Sequence, residues 1–558
     1  MSESARAGVT DETPPGATGT AGAPRFSIIT PVYNPPLGVL RTTIGSVVKQ
    51  TVDDWELILV DDLSPDPRVR EVLREAAARD DRIRVIERPT NGHIVAASND
   101  GIDAARGEFI ALLDHDDLLV PRALEFMQDA IEAEPDVDYL YSDEDKIDQS
   151  GRIRETFEKP AWSPERLRGQ MYTSHFSVLR TSLVREVGGF RAGYDGSQDH
   201  DLALRVTERA RLVLHIPRTL YHWRVVPGSA AGDVEAKPYA WEAGLRAVQD
   251  QLDRLGISGT AELGDRPGTY RIVRRLDPSV LISVVIPTRG GQGMVWGERR
   301  HFVVDAVRSL VEHGGHDALE IIVVYDLDTP SEVLEQLTAL GIRELRLVPF
   351  DKPFNFSEKC NVGVTASFGD VVVLLNDDVE ITSPGFLVQL AAPLYEDGVG
   401  MTGARLLFAN TSIQHAGLAL DRYSLIHMFA GRPSDAPGPF SALEINREVS
   451  GLTGACVALR RRVFDQIGGL CEQLPANFND VDLSCKITHA GLRMVWIANA
   501  TAFHFESQTR EPVVEQWESD VISTRWDLPE HDRYMPEASR TSKVQRRARQ
   551  QATRVRWH

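Results

Sequence analysis

Cysteine is scarce: there are four in 558 residues, Cys360, Cys456, Cys471 and Cys485, all in the second half and none in a C-x-x-C spacing. That excludes a disulfide frame and a cysteine zinc site, and fits reduced thiols in a cytoplasmic protein. Long hydrophobic runs are also missing. No stretch approaches the ~18 residues of a membrane span, and no signal-peptide pattern opens the chain. Positive charge is in deficit, with a net charge of −20. A phosphate backbone wants a basic face, so no nucleic-acid partner is expected. Anionic small substrates stay open, because a metal ion can supply local positive charge. Two phosphate-binding signatures are lacking as well. No G-x-G-x-x-G follows the first apolar run, which disfavours a dinucleotide site, and no G-x-x-x-x-G-K-[ST] loop occurs.

What is present centres on Gly107 to Leu119, GEFIALLDHDDLL. A short apolar run cut off by carboxylates reads as a buried strand of a parallel sheet, with its acids at the carboxyl end where open α/β sheets place ligands. An Asp-x-Asp there suits a hard divalent cation, Mn²⁺ or Mg²⁺, bridging to substrate phosphates. A solvated acidic turn is the alternative for a single copy, but the chain repeats the pattern in GDVVVLLNDDVE, Gly369 to Glu380. Other segments pair in the same order. SIITPVYN at Ser27 matches SVVIPTRG at Ser283, ELILVDDLSPD at Glu56 matches EIIVVYDLDTP at Glu320, GSQDHDLALRV at Gly196 matches NFNDVDLSCKI at Asn477, and YHWR at Tyr221 matches FHFE at Phe503. A repeat this long is a duplicated domain. Hydrophobic content of 42% and charged content of 25% suit a soluble globular chain.

Apolar runs alternating with helical spacings predict α/β domains with mostly parallel central sheets. The expected division is a disordered tail over 1–24, a first domain over 25–262, a linker over 263–278, a second domain over 279–525, and a C-terminal tail over 526–558. Residues 540–558 hold seven Lys and Arg and no acid. They read either as a surface helix for anionic lipid, giving peripheral attachment to the inner face of the membrane, or as a solvated tail.

The ordered set PVYN, VDD, LLDHDD, SDEDKID, GSQDHDLALR and YHWR resembles family 2 glycosyltransferases with the GT-A fold. NFSEKCN, LLNDDVE, TGACVALRR, NDVDL and FHFES repeat that resemblance in the second half. The likeness extends to tandem-domain enzymes of O-antigen or rhamnan-type polysaccharide assembly. The resemblance implies a nucleotide-diphosphate sugar donor (UDP- or dTDP-linked), a glycan or lipid-linked glycan acceptor and a divalent metal. It implies that Pro31, Tyr33, Asp61, Asp62 and Asp114 contact the donor and that Asp116 binds the metal. It further implies Asp199 as general base, His222 as a diphosphate or metal contact and Arg224 as a donor contact. In the second half Pro287, Asp326 and Asp377 take the donor, Asp378 and His504 the metal, and Asp480 the base. Tyr325 stands where the first half has Asp61, and Asn376 where it has Asp114.

The chemistry implied is a single inverting displacement: a metal steadies the diphosphate and one carboxylate takes the acceptor proton. Segments near 224–232 and 290–300 are candidate lids. Asp199 alternatively reads as a helix N-cap, and the run Asp143 to Asp145 as either a sugar contact or a solvated strand end. His93, His215, His301 and His427 read as structural, as do Trp55, Trp162 and Trp496. Trp223, beside His222, is a candidate sugar contact. Three functions remain open: two transferase sites, one active domain with a binding module, or a nucleotidyltransferase. The last is disfavoured because PVYN replaces its Gly-rich first loop.

Overall fold

The computed structural model describes residues 22–148, 150–225, 238–422, 424–505 and 514–535. Residues 1–21 of the expected N-terminal tail, most of the candidate lid near 224–232 and all of 540–558 lie outside them.

The first domain is built on β1 (Phe26–Val32), β2 (Trp55–Asp61), β3 (Ile83–Glu87), β4 (Phe109–Leu112), β5 (Leu118–Leu119), β6 (Val137–Ile147), β7 (Ile153–Phe157), β8 (Ser177–Arg180) and β9 (Leu212–Arg224). They form one sheet in the order β3-β2-β1-β4-β8-β6-β9-β5, with β7 paired to β6. The half from β3 to β4 is parallel, and β1 and β2 within it are buried on both faces, which is why they read as unbroken apolar runs. The chain moves from β1 outward to β3, then returns to β4 on the other side of β1. That reversal makes a switch point between β1 and β4, the usual place for a ligand crevice.

A hairpin, β10 (Gly259–Leu263) and β11 (Tyr270–Arg274), follows the helix Pro238–Leu255. The helix packs Ala247 and Val248 into the first domain's core beside Leu202 and Leu204. The linker expected over 263–278 thus takes in the returning strand of this hairpin.

The second domain repeats the plan. It has β12 (Ile282–Thr288), a hairpin β13 (Gln292–Val295) and β14 (Glu298–His301) where a lid was expected, β15 (Leu319–Asp326), β16 (Leu345–Phe350), β17 (Val371–Leu375), β18 (Val379–Ile381) and β19 (Val399–Leu407). After these come β20 (Ile413–His415), β21 (Leu418–Asp421), β22 (Ser424–His427), β23 (Arg447–Val449), β24 (Cys456–Arg460) and β25 (Arg493–His504). The sheet order β16-β15-β12-β17-β24-β19-β25-β18 is position for position that of the first domain. The expected α/β class with two tandem domains is therefore the observed one. Past residue 525 the chain still packs on this domain: Met535 is buried and Asp532 accepts from the Leu420 amide at 2.7 Å.

One buried brace appears in both halves. Ser27 Oγ donates to Glu56 at 2.7 Å and accepts from the Gly107 amide at 2.8 Å; Ser283 Oγ donates to Glu320 at 2.6 Å and accepts from the Gly369 amide at 2.7 Å. A Cβ on Gly107 would come within 2.6 Å of the Ser27 nitrogen, and one on Gly369 within 2.5 Å of Ser283 Oγ. The glycine that opens each acid-ended strand is therefore required by close approach.

The two domains share a charged, buried interface. Glu165 pairs with Arg168 at 3.0 Å and Arg274 at 2.7 Å, and Glu396 of the second domain pairs with Arg274 at 2.6 Å and Arg168 at 2.5 Å. Glu448 binds Arg493 at 2.6 Å and accepts from Ser163 Oγ of the first domain. Gly169 lies against Ile445, where a Cβ would sit 2.9 Å away.

Candidate functional site

At the switch point the first domain opens into a cavity of about 790 Å³. Pro31 and Tyr33 leave the end of β1, Asp62 the end of β2, and Asp114, His115 and Asp116 the end of β4; all six line it, as does Asp199. The expected residues Asp61, His222 and Arg224 are not brought to this cavity. Asp61 is fully buried, accepts from the Ser64 amide at 3.1 Å and pairs with Arg70 at 2.9 Å. Asp62 is held by Arg88 at 2.5 Å and the Gly92 amide at 2.9 Å. Arg224 instead shapes the acid loop: Nε donates to the Asp116 carbonyl at 2.8 Å and its amide donates to Asp117 at 2.7 Å. His222 Nδ1 pairs with Asp145 at 2.6 Å. Trp223, the candidate sugar contact, does line the cavity.

The acid loop is clamped from several sides. His115 Nδ1 bonds the Pro31 carbonyl at 3.0 Å, and Tyr221 donates its hydroxyl to Asp117 at 2.7 Å. No motif or repeated segment pointed to His175. Its ring stacks on Tyr221 at 4.7 Å, with Nε2 3.7 Å from Asp114 and Nδ1 3.4 Å from Glu144. Burial works to strip the His175 proton, but the two carboxylates override it and hold the imidazole well above its ordinary range. Burial would likewise raise Asp114, yet the imidazolium keeps it below the usual carboxylate range. Asp116, without such a partner, is pushed up by burial and by Asp114. Glu144 is buried, but Lys159 and His175 hold it down at about 2. Lys159 also donates to the Thr173 carbonyl at 2.8 Å, bracing the loop that presents His175.

Ligand atoms of Asp114, Asp117 and His175 lie within 4.8 Å of one another. Both Asp117 oxygens are already engaged, by Tyr221 and the Arg224 amide, whereas Asp114 and Asp116 face the cavity. Crowded carboxylates at a cavity wall are a donor set that fits a hard cation.

Asp199 is not an N-cap. It sits in the first turn of the helix Gln198–Thr207, which starts after Ser197. One carboxylate oxygen accepts from the His200 amide at 2.9 Å; the other has no hydrogen-bond partner among the described residues. Asp201, two residues on, is buried in a pair with Arg205 at 2.6 Å and with Arg191.

The second domain sets the same positions differently. Asp326 pairs with buried Lys359 at 2.9 Å, and Lys359 also donates to the Thr288 carbonyl at 2.7 Å. Thr288 Oγ1 donates to Asp377 at 2.6 Å, and burial with Asp378 beside it pushes Asp377 up to about 7. Asp378 is also buried, but His504 at 3.2 Å holds it low. Among the described residues Asn376 Oδ1 is buried and accepts no hydrogen bond, and Asp378 Oδ1 has the His504 ring beside it; a cation would satisfy the Asn376 oxygen. Asp480 accepts from the Val481 amide at 2.8 Å and, unlike Asp199, from Gly454 at 3.2 Å. Pro287 lies in the buried strand β12, beside Val324 of β15.

The match of His222 with His504 needs a correction. From β4 to β6 the two halves keep one constant spacing, Leu112 standing opposite Ile29 as Leu374 stands opposite Val285. Leu118 and Asp145 both pair with His222, and at the same spacing Glu380 and Leu407 both pair with Phe503. His504 therefore takes the place of Trp223. Neighbouring side chains on a strand point to opposite faces, so one histidine turns to Asp145 and the other to the acid loop.

Residues 27–188 match the family model described as Glycosyl transferase family 2, and residues 280–527 the one described as Glycosyltransferase like family 2. The chain is 40% identical over 517 residues to "Uncharacterized protein y4gI" of Sinorhizobium fredii, covering 90% of this chain and 56% of that one. It is 33% identical over 521 residues to "O-antigen biosynthesis protein RfbC" of Myxococcus xanthus, covering 92% of this chain and 40% of that one. The chain thus spans about half the length of these curated relatives. Among solved structures, S. aureus TarS 1-349 in complex with UDP-GlcNAc aligns at 19% identity over 41% of this chain and 66% of that one, with a TM-score of 0.35. Both halves match family 2 within one polypeptide, and the chain belongs to glycosyltransferase family 2 as two tandem domains.

Proposed function

We infer that the first domain transfers a sugar from a nucleotide-diphosphate donor to a hydroxyl of a glycan or lipid-linked glycan, with inversion, and that the second domain performs a second transfer. The observation that carries this reading is Asp199, with one oxygen free, sharing a cavity with Asp114 and Asp116. Asp62 and Tyr33, at the ends of β2 and β1, suit the nucleoside. Asp199 takes the proton of the acceptor hydroxyl as its oxygen attacks the anomeric carbon from the side opposite the diphosphate. The new glycosidic C–O bond forms as the bond to phosphate breaks, and the electron pair leaves with the nucleoside diphosphate. Asp114 and Asp116, with His175 beside them, would hold a divalent cation; bound there, it offsets the charge that develops on the diphosphate. In the second domain Asn376, Asp378 and His504 would hold the ion and Asp480 would be the base. The name of the O-antigen biosynthesis relative supports an envelope polysaccharide as product. Attachment of residues 540–558 to anionic lipid belongs to the same reading.

A second reading keeps the second domain as a binding module. It is favoured by Asp480, whose carboxylate is tied to Gly454, and by Lys359, which neutralises Asp326. One assay separates the two. Nucleotide sugars are screened with Mn²⁺ or Mg²⁺ for released UDP or dTDP, using wild type, Asp199→Asn and Asp480→Asn. Loss of a different donor or linkage in each variant supports two enzymes. Full turnover in Asp480→Asn makes the second domain a module, and no turnover of any donor by wild type overturns the transferase assignment of these sites.

A further inference from the structure

The first domain's cavity is not closed by the first domain alone. Its lining includes Phe440, which belongs to the second domain. Across the sheet, the nucleoside-facing residues lie at β1 and β2, the acid loop at β4, and beyond it come β6 and β7. On this far side the cavity wall turns aromatic. Phe157 ends β7, Tyr239 and Trp241 open the helix Pro238–Leu255, and Tyr270 stands on β11. Tyr270 adjoins the helix that carries Asp199, its ring 5.6 Å from that of His200.

Phe440 lies over Phe157 with ring centroids 3.6 Å apart and planes 19° from parallel. Both rings line the cavity; Phe157 is buried and Phe440 half-buried, so Phe440 is the more open of the two. Its backbone is left-handed, at φ 48° and ψ 50°, and Ser441 beside it has φ 57°. A phenylalanine is an unusual residue there, and such outliers collect at binding sites. Arg166 of the first domain fixes the turn by donating to the Phe440 carbonyl at 3.1 Å. The buried ion pairs of Glu165 and Glu396 with Arg168 and Arg274 hold the two domains in this docking.

We propose that Phe440 completes, in trans from the second domain, an aromatic subsite of the first domain that binds the acceptor as a glycan of more than one ring. This rests on the transferase reading of the cavity. Flat aromatic walls match the C–H faces of pyranose rings, while the polar groups of the cavity, Asp199 foremost, orient the reacting hydroxyl. A lipid tail would need a continuous apolar trough, and this lining also includes the Pro267–Gly268 turn and the polar side chains of Gln170, Asp195 and Gln198. The consequence is that the second domain governs which acceptor the first domain accepts, whether or not it carries out a reaction of its own.

The test uses the full chain on a printed array of α- and β-linked hexose and 6-deoxyhexose oligosaccharides, with titration of UDP and dTDP in parallel. Wild type should bind a subset of the array. Phe440→Ala should weaken that binding at least tenfold with nucleotide affinity within twofold, and Phe440→Tyr should restore it. Trp241→Ala, which leaves the domain interface untouched, should show the same split. Unchanged array binding in Phe440→Ala overturns the proposal, as does loss in Phe440→Ala with none in Trp241→Ala, which would mark a purely structural role. Wild type that binds nucleotide but no oligosaccharide also overturns it. Oligosaccharide binding without nucleotide binding leaves the subsite standing and removes the transferase reading beneath it.

Discussion

The two halves of this chain are alike where they fold and unlike where they would react. Sheet order, strand register and the Ser–Glu–Gly brace are kept from one to the other. The acid loop is not. D-H-D-D in the first domain becomes N-D-D-V in the second, and the tie from loop to first strand passes from His115 on Pro31 to Asp377 on Thr288. Each loop still acquires one histidine, but from a different strand: His175 from just before β8, His504 from the end of β25. Duplication preserved what burial enforces, since a parallel strand covered on both faces tolerates little change. The site drifted because a charge beside a carboxylate cluster can be delivered from any neighbouring backbone.

The largest expected effect breaks that comparison most directly. Asp199→Asn should lower first-domain turnover by about 10²- to 10⁴-fold, the range for losing a positioned general base. Asp480→Asn should do as much for a second donor or linkage if Gly454 releases that carboxylate during turnover. Nucleotide release measured donor by donor reads both, and a silent Asp480→Asn would show that the likeness stops at the fold.

Next in size is the interface, which asks whether two similar domains are one folding unit. Glu396→Gln leaves Arg168 and Arg274 with Glu165 as their one acidic partner, and breaking a buried pair costs about 3–5 kcal/mol. Urea titration should show a lower midpoint for a single transition. Two separate transitions, with only one moved, would mean that the domains unfold independently. The pH dependence has a definite sign. Burial would raise Glu165 above 4.5, but Arg274 and Arg168 hold it at about 2. Its stabilising share is full above about 4.5 and is lost as pH falls toward 2. The advantage of wild type over Glu165→Gln should therefore shrink between pH 5 and pH 3, followed by thermal melting at each pH. A constant difference would assign the effect to packing.

Much of this was legible in the sequence because the cues were local. An apolar run ending in acid marked β4 and β17, and the glycine before each run proved to be a contact requirement. His175 was hidden because its counterpart in the repeat is Ala455, so no pairing of segments pointed to it. The shared histidine of YHWR and FHFE misled, because matching letters cannot reveal that two strands differ by one place in register. Phe440 reaches a wall that begins at Phe157, and only the docking of whole domains joins them.

The smallest expected effect concerns the histidines themselves and sharpens the comparison. If each serves its own acid loop, His175→Ala should raise the Mn²⁺ concentration needed for half-maximal first-domain activity by about 10- to 100-fold, the usual size when a group that orients metal ligands is lost. His504→Ala should leave that requirement unchanged and move the second domain's instead. His222→Ala supplies the control that the register argument demands. Its ring is paired with Asp145 on the far face of the strand, so it should alter neither requirement. A shift with His222→Ala equal to that with His175→Ala would restore the letter-for-letter match of the two strands and remove the case for two separately recruited histidines.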